Sequence, residues 1–192
     1  MAPADPAPPV NARRVPGDAM AVACVAASLL VCGGLLAYGA GRGADLTDEI
    51  FYLVWTRDPD AHALTYQPFG YLLHPLLGLV DGDLRSYRLG GFAIAAGAGA
   101  LLGSSVPAAR RGAPLLPLHG ALAALTIFFP WIITPSYNSA ANVGAMLAIA
   151  GVLNVRAGRR VPGAIEAAAG LCLAAVLGER GWRYLSARWL AL

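Results

Sequence analysis

The stretch DLTDEIFYLVWTRDPDAHALTYQPFGYLLHPLLGLVDGDLRSYR, residues 45–88, is the one long polar segment between hydrophobic runs. It holds seven of the chain's eleven acidic residues (Asp45, Asp48, Glu49, Asp58, Asp60, Asp81 and Asp83) and the histidines His62 and His74, so any chemistry is expected here first. With 57% hydrophobic and 13% charged residues, the chain lies outside the range of soluble domains. Its apolar blocks are long enough to cross a bilayer. The fold class that follows is an all-α polytopic transmembrane bundle of about five spans. At 192 residues there is room for one membrane domain with one sizeable loop, and none for a separate soluble catalytic domain.

On the N-terminal side, residues 1–18 are rich in Pro and Ala, carry Arg13 and Arg14, and read as a disordered cytoplasmic tail. Residues 19–40 are too long for a signal-peptide core and match a first span. Beyond the polar stretch, residues 89–106 form an Ala/Gly-rich second span in which Gly99 and Gly103 make a small-xxx-small pair for close helix approach. A third span covers residues 115–134, with Pro117 and Pro130 near its ends. An uncharged turn, 134–139, leads to a fourth span at 140–155, and a shorter fifth run at 161–177 contains Glu166. The transmembrane domain is therefore 19–177 with an external loop at 41–88. Residues 178–192 place Trp182, Leu185, Trp189 and Leu192 on one helical face, the pattern of an interfacial amphipathic tail.

All 14 cationic side chains are arginine, and the pairs and triplets Arg13/Arg14, Arg110/Arg111 and Arg156/Arg159/Arg160 recur at alternate connections. Positive charge marks the cytoplasmic side. The N-terminus is then cytoplasmic and the loop faces outward from a bacterial inner membrane. The net charge of +3 is a topology signal and not a nucleic-acid footprint. Cys24, Cys32 and Cys172 all fall in apolar runs, which points to small hydrophobes and to neither a disulfide nor a metal site.

Inside the loop, Leu46, Ile50, Leu53 and Val54 share one helical face while Asp45, Asp48 and Tyr52 lie towards another. A second amphipathic segment runs over residues 68–80, with Phe69, Leu72, Leu73, Leu76, Leu77 and Val80 on its apolar side. Pro68 suits its first turn, and Pro75 is expected to kink it beside His74.

A first span, then Asp48-Glu49 with Tyr52, then Phe69-Gly70-Tyr71-Leu72-Leu73-His74-Pro75-Leu76, resembles the start of polytopic glycosyltransferases of the GT-C fold. That class includes protein mannosyltransferases and lipid A aminoarabinose transferases. Tyr87-Arg88-Leu89 and Thr134-Pro135-Ser136-Tyr137-Asn138 fit the same pattern, and the resemblance covers roughly residues 19–177. It implies sugar transfer from a polyprenyl-phosphate-linked donor at the external membrane face, with no cofactor. Asp48, with Glu49 as the second candidate, would act as general base on the acceptor hydroxyl, since that group must lose a proton as the anomeric bond forms. Arg85 or Arg88 would hold the departing lipid phosphate, a guanidinium offering it a bidentate fork. His74 would contribute to the acceptor site, with Tyr52, Tyr137 and Asn138 as further substrate contacts.

Plainer readings stand beside these. The acids also complement a helix dipole with Asp45 as N-cap, and the arginines also anchor a span at the headgroups. Glu166, a turn from Pro162, is expected to reach the interface. Enzymes of the GT-C class are much longer, so the chain is expected to be a truncated product of one, or a short relative that has lost catalysis or needs a membrane partner subunit. The rival to the transferase is a non-catalytic membrane scaffold; a transporter ranks third, because the spans hold almost no buried charge.

Overall fold

A computed structural model describes residues 17–43, 48–62, 68–110, 115–128 and 133–177. The expected N-cap Asp45, residues 1–16 of the expected tail and the expected amphipathic segment 178–192 lie outside them. The described residues are helical, with no strand among them. In chain order the helices are α1 (Gly17–Ala40), α2 (Asp48–Arg57), α3 (Phe69–Gly78), α4 (Leu84–Ser105), the single turn α5 (Pro107–Arg110), α6 (Leu115–Leu125), α7 (Tyr137–Arg156) and α8 (Arg160–Leu177). Short 3-10 turns follow α2 and α6.

The helix ends are written in local chemistry. Asp48 and Glu49 sit in the first turn of α2 and Arg57 in its last, each complementing the helix dipole. Asp83 caps α4 by accepting a hydrogen bond from the Ser86 amide at 2.8 Å. This cap starts α4 five residues before the expected second span and takes Arg88 out of the loop into the helix's second turn. Ser136 and Ser139 form a reciprocal capping box at the start of α7. Its other end closes in a Schellman turn: the Gly158 and Arg159 amides donate to the Val155 and Asn154 carbonyls, with Gly158 at φ +87° where a side chain would be strained.

α1 and α7 are long and apolar enough to cross a membrane. Within the expected third span, the described residues are helix and 3-10 turn from Leu115 to Phe128, and residues 133–136 are non-helical. A 14-residue apolar helix, Leu115–Phe128, is about 21 Å long, less than the roughly 30 Å hydrocarbon thickness of a bilayer. Pro75 lies inside α3, which continues on both sides of it.

Two seams let backbones touch. A Cβ on Gly99 of α4 would collide with the Gly120 carbonyl of α6, and one on Gly103 with Leu116, so the small pair read from the sequence is the contact line. Gly144 and Gly151 of α7 meet Gly170, Gly163 and Ala167 of α8 in the same way. One apolar cluster then fills the bundle with Leu36, Phe92, Ala95, Ala124, Leu125, Phe128 and Val143. A second, built from Tyr52, Trp55, Phe69, Leu73, Leu77 and Tyr87, fastens α2 and α3 to α4. Gly70 lies against the Trp55 carbonyl, which fixes the approach of α3 to α2.

Candidate functional site

The polar centre of the molecule lies where α1 ends, α2 and α4 begin and the chain leads into α7. Glu49, Arg88 and Thr134 meet there, at 3%, 0% and 1% exposure. Arg88 Nη2 is 3.0 Å from Glu49 Oε1, an ion pair lying off the hydrogen-bond angle. Arg88 Nε donates to Thr134 Oγ1 at 3.0 Å, and the Thr134 hydroxyl in turn donates to Glu49 Oε1 in a short contact. Arg88 Nη1 donates to the carbonyls of Ala40 at 3.0 Å and Arg42 at 2.7 Å. The Ala40 carbonyl is an acceptor left open at the end of α1 and Arg42 lies two residues beyond it, so the guanidinium closes off that helix as well.

Asp48 has opposite surroundings. It is exposed on the first turn of α2, one residue from buried Glu49. Tyr52, the next turn along, is buried and packs edge-on against Phe69 and Tyr137, with centroids 5.7 and 5.6 Å away. Burial, then the hydrogen bond with Tyr137, the charge of Tyr137 and that of Asp48 push the Tyr52 phenol well above its ordinary range. It is a hydroxyl and not a phenolate at any ordinary pH.

His74 Nδ1 lies 2.9 Å from the Thr56 carbonyl. A carbonyl only accepts, so Nδ1 carries the proton, and the exposed ring leaves Nε2 as an acceptor. Three residues before His74, Tyr71 donates to Asp60 at 2.7 Å, and that bond raises the Tyr71 phenol. Arg85 is exposed in the first turn of α4, Asn138 is exposed in the first turn of α7, and Tyr137 is half-buried beside Tyr52. The sequence candidates therefore divide. Glu49 and Arg88 are joined in the interior, Tyr52 and Tyr137 are joined in the aromatic cluster, and Asp48, Arg85 and Asn138 face outward.

An apolar cavity of about 220 Å³ opens beneath α3, lined by Leu72, Leu73, Leu76, Gly91, Ile94, Pro135, Ser139 and Val143 among others. Pro135 follows Thr134 directly, which sets the cavity beside the polar centre. Neither Asp48 nor Glu49 lines it. Among the described residues no three His, Cys, Asp or Glu side chains come together in a metal-ligand cluster.

Thr134 is the member of the centre that sequence reasoning overlooked; it was read as the end of a span and its hydroxyl given no task. The available signal was its place beside Pro135 and the helix-capping Ser136, which argues against a helix at 134. Glu166 is half-buried and accepts a hydrogen bond from Asn154 Nδ2 at 2.5 Å, which ties α8 to the last turn of α7.

No protein family, curated protein or solved structure matches the chain.

Proposed function

We propose that the chain is a multi-pass protein of a bacterial inner membrane, with α1, α4, α6, α7 and α8 as its spans and α2 and α3 lying at the external face. Support comes from the apolar surface the helices leave uncovered: Leu30 is 77% exposed, Val161 71%, Ile165 65% and Leu171 60%. Apolar surface on that scale is costly in water and ordinary against lipid.

Within that setting we infer a transferase that moves a sugar from a polyprenyl-phosphate carrier to an acceptor hydroxyl at the outer face, with Asp48 as the base. The observation that carries this reading is the different fate of two adjacent acids. Glu49 is committed to Arg88 and Thr134, while Asp48 is open to solvent on the first turn of α2. In the reaction the acceptor oxygen forms a bond to the anomeric carbon and the carbon–oxygen bond to the lipid phosphate breaks. The acceptor proton passes to Asp48, and polyprenyl phosphate leaves with the bonding electrons. His74 Nε2 and Arg85 are the exposed groups placed to contact acceptor and phosphate.

A non-catalytic membrane subunit is the second reading, and one observation favours it. The apolar cavity that would take a lipid tail is lined by neither acid. The deciding experiment supplies radiolabelled sugars on polyprenyl phosphate to membranes containing the chain. Loss of a general base lowers such a rate by about 100-fold or more. Asp48→Asn is expected to do so while the protein stays inserted, and unchanged transfer would remove Asp48 from the chemistry.

A further inference from the structure

We propose that Arg88 is a positioning residue, which fixes α2 against the rest of the molecule and so sets where Asp48 is presented, and not a ligand for a phosphate. A guanidinium has five N–H groups in a rigid fork. Here Nε is given to Thr134, Nη1 to the Ala40 and Arg42 carbonyls, and Nη2 faces Glu49. Its charge is balanced by Glu49, and its side chain is wholly buried. A phosphate would have to displace Glu49 and enter a closed interior.

The segments joined are as telling as the bonds. The end of α1, the first turn of α2, the second turn of α4 and the lead-in to α7 all meet on this one side chain. Successive helical residues project roughly 100° apart. Holding Glu49 inward therefore turns Asp48 outward. A buried ion pair stabilises little beyond what apolar packing would give, and its best-supported use is to select one arrangement among several. The role assigned to Asp48 rests on the transferase reading above, whereas the clamp does not.

The test uses the full chain in membranes, with Cys24, Cys32 and Cys172 replaced by alanine and one reporter at a time, Asp48→Cys or Arg85→Cys. The rate of alkylation by a membrane-impermeant maleimide is measured. Arg85 is exposed at the start of α4 and serves as the control. Thr134→Val deletes the hydroxyl shared by Arg88 and Glu49 at nearly constant volume, and Thr134→Ser keeps it. Thr134→Val is expected to change the rate at Asp48→Cys by about threefold or more through local release of α2, while Thr134→Ser restores it and Arg85→Cys holds steady. Equal rates at Asp48→Cys in all three backgrounds overturn the proposal. Should Thr134→Val also move the Arg85→Cys rate, the whole fold has loosened, and Arg88→Lys, which keeps the charge and loses the fork, decides. A changed Asp48→Cys rate with a steady control supports the clamp, and any other pattern overturns it. Transfer that survives Asp48→Asn removes the catalytic role of Asp48 alone, and a reporter thiol that does not respond sinks the clamp alone.

Discussion

Asp48 and Glu49 are adjacent acids for which the structure requires opposite mutational costs. Glu49→Ala removes the countercharge of a wholly buried arginine, and breaking such a pair from one side costs about 3–5 kcal/mol. Arg88 would still have the Ala40 and Arg42 carbonyls and the Thr134 hydroxyl, which places the expected loss near the lower limit, about 3 kcal/mol. For a chain of this size each kcal/mol moves the midpoint by about 2–4 °C, so Glu49→Ala should melt about 6–12 °C below the parent. Asp48→Ala, on an exposed position, should stay within about 0.5 kcal/mol. The assay is thermal loss of the monodisperse peak in a mild detergent. Replacing both charges, Glu49→Leu with Arg88→Met, should cost less than Glu49→Ala alone, because no buried charge is left unpaired. The reasoning fails if Glu49→Ala and Asp48→Ala melt together, or if the double replacement is the worst of the three.

Two further outcomes follow from helix contacts and caps. Gly151→Val should separate α7 from α8 at a cost of about 3 kcal/mol, since its side chain would meet the Ala167 and Gly163 backbones, whereas Gly33→Ala, with open space around it, should gain several tenths of a kcal/mol; the same melting assay compares them. The Asp83 carboxylate is held below its ordinary range, chiefly by its hydrogen bonds with Ser86. A depressed acid stabilises above its unfolded pKa and loses that contribution as pH falls through its folded value. Hydrogen exchange at the Ser86 amide should therefore speed up, relative to mid-helix α4 amides, as the pH drops below the carboxylate range, and Asp83→Asn should abolish that dependence.

The helices were readable because each rests on local information. Apolar runs set α1, α4, α7 and α8, and the alternating faces of 48–57 and 69–78 set α2 and α3. Caps moved the boundaries: Asp83 brought Arg88 into a helix, and Ser136 with Pro135 kept Thr134 out of one. The centre itself was not readable. Its ion pair and hydroxyl join residues 39 to 85 positions apart in the chain, and nothing local tells a carboxylate that it will be buried while its neighbour is not. Arg88 is expected from sequence as a phosphate ligand or a headgroup anchor at the end of the loop for the same reason. Periodicity states which face of α2 is apolar, but Glu49 enters the interior through a partner that only tertiary packing supplies. The partner of Glu166 is hidden similarly, because Asn154 lies on the neighbouring helix.

The glycine seam between α7 and α8 bears on how the chain is made. Two helices whose backbones touch along their length, joined by the short Gly158 turn, have few long side chains to sort before they fit. Such a hairpin can close as soon as its two arms are made, before the rest of the bundle packs around it. Arg156, Arg159 and Arg160 all sit at the bend. On the membrane reading proposed above, a pair that inserts as a closed hairpin with its bend last need not carry those three charges through the hydrocarbon, and its orientation would be set during synthesis.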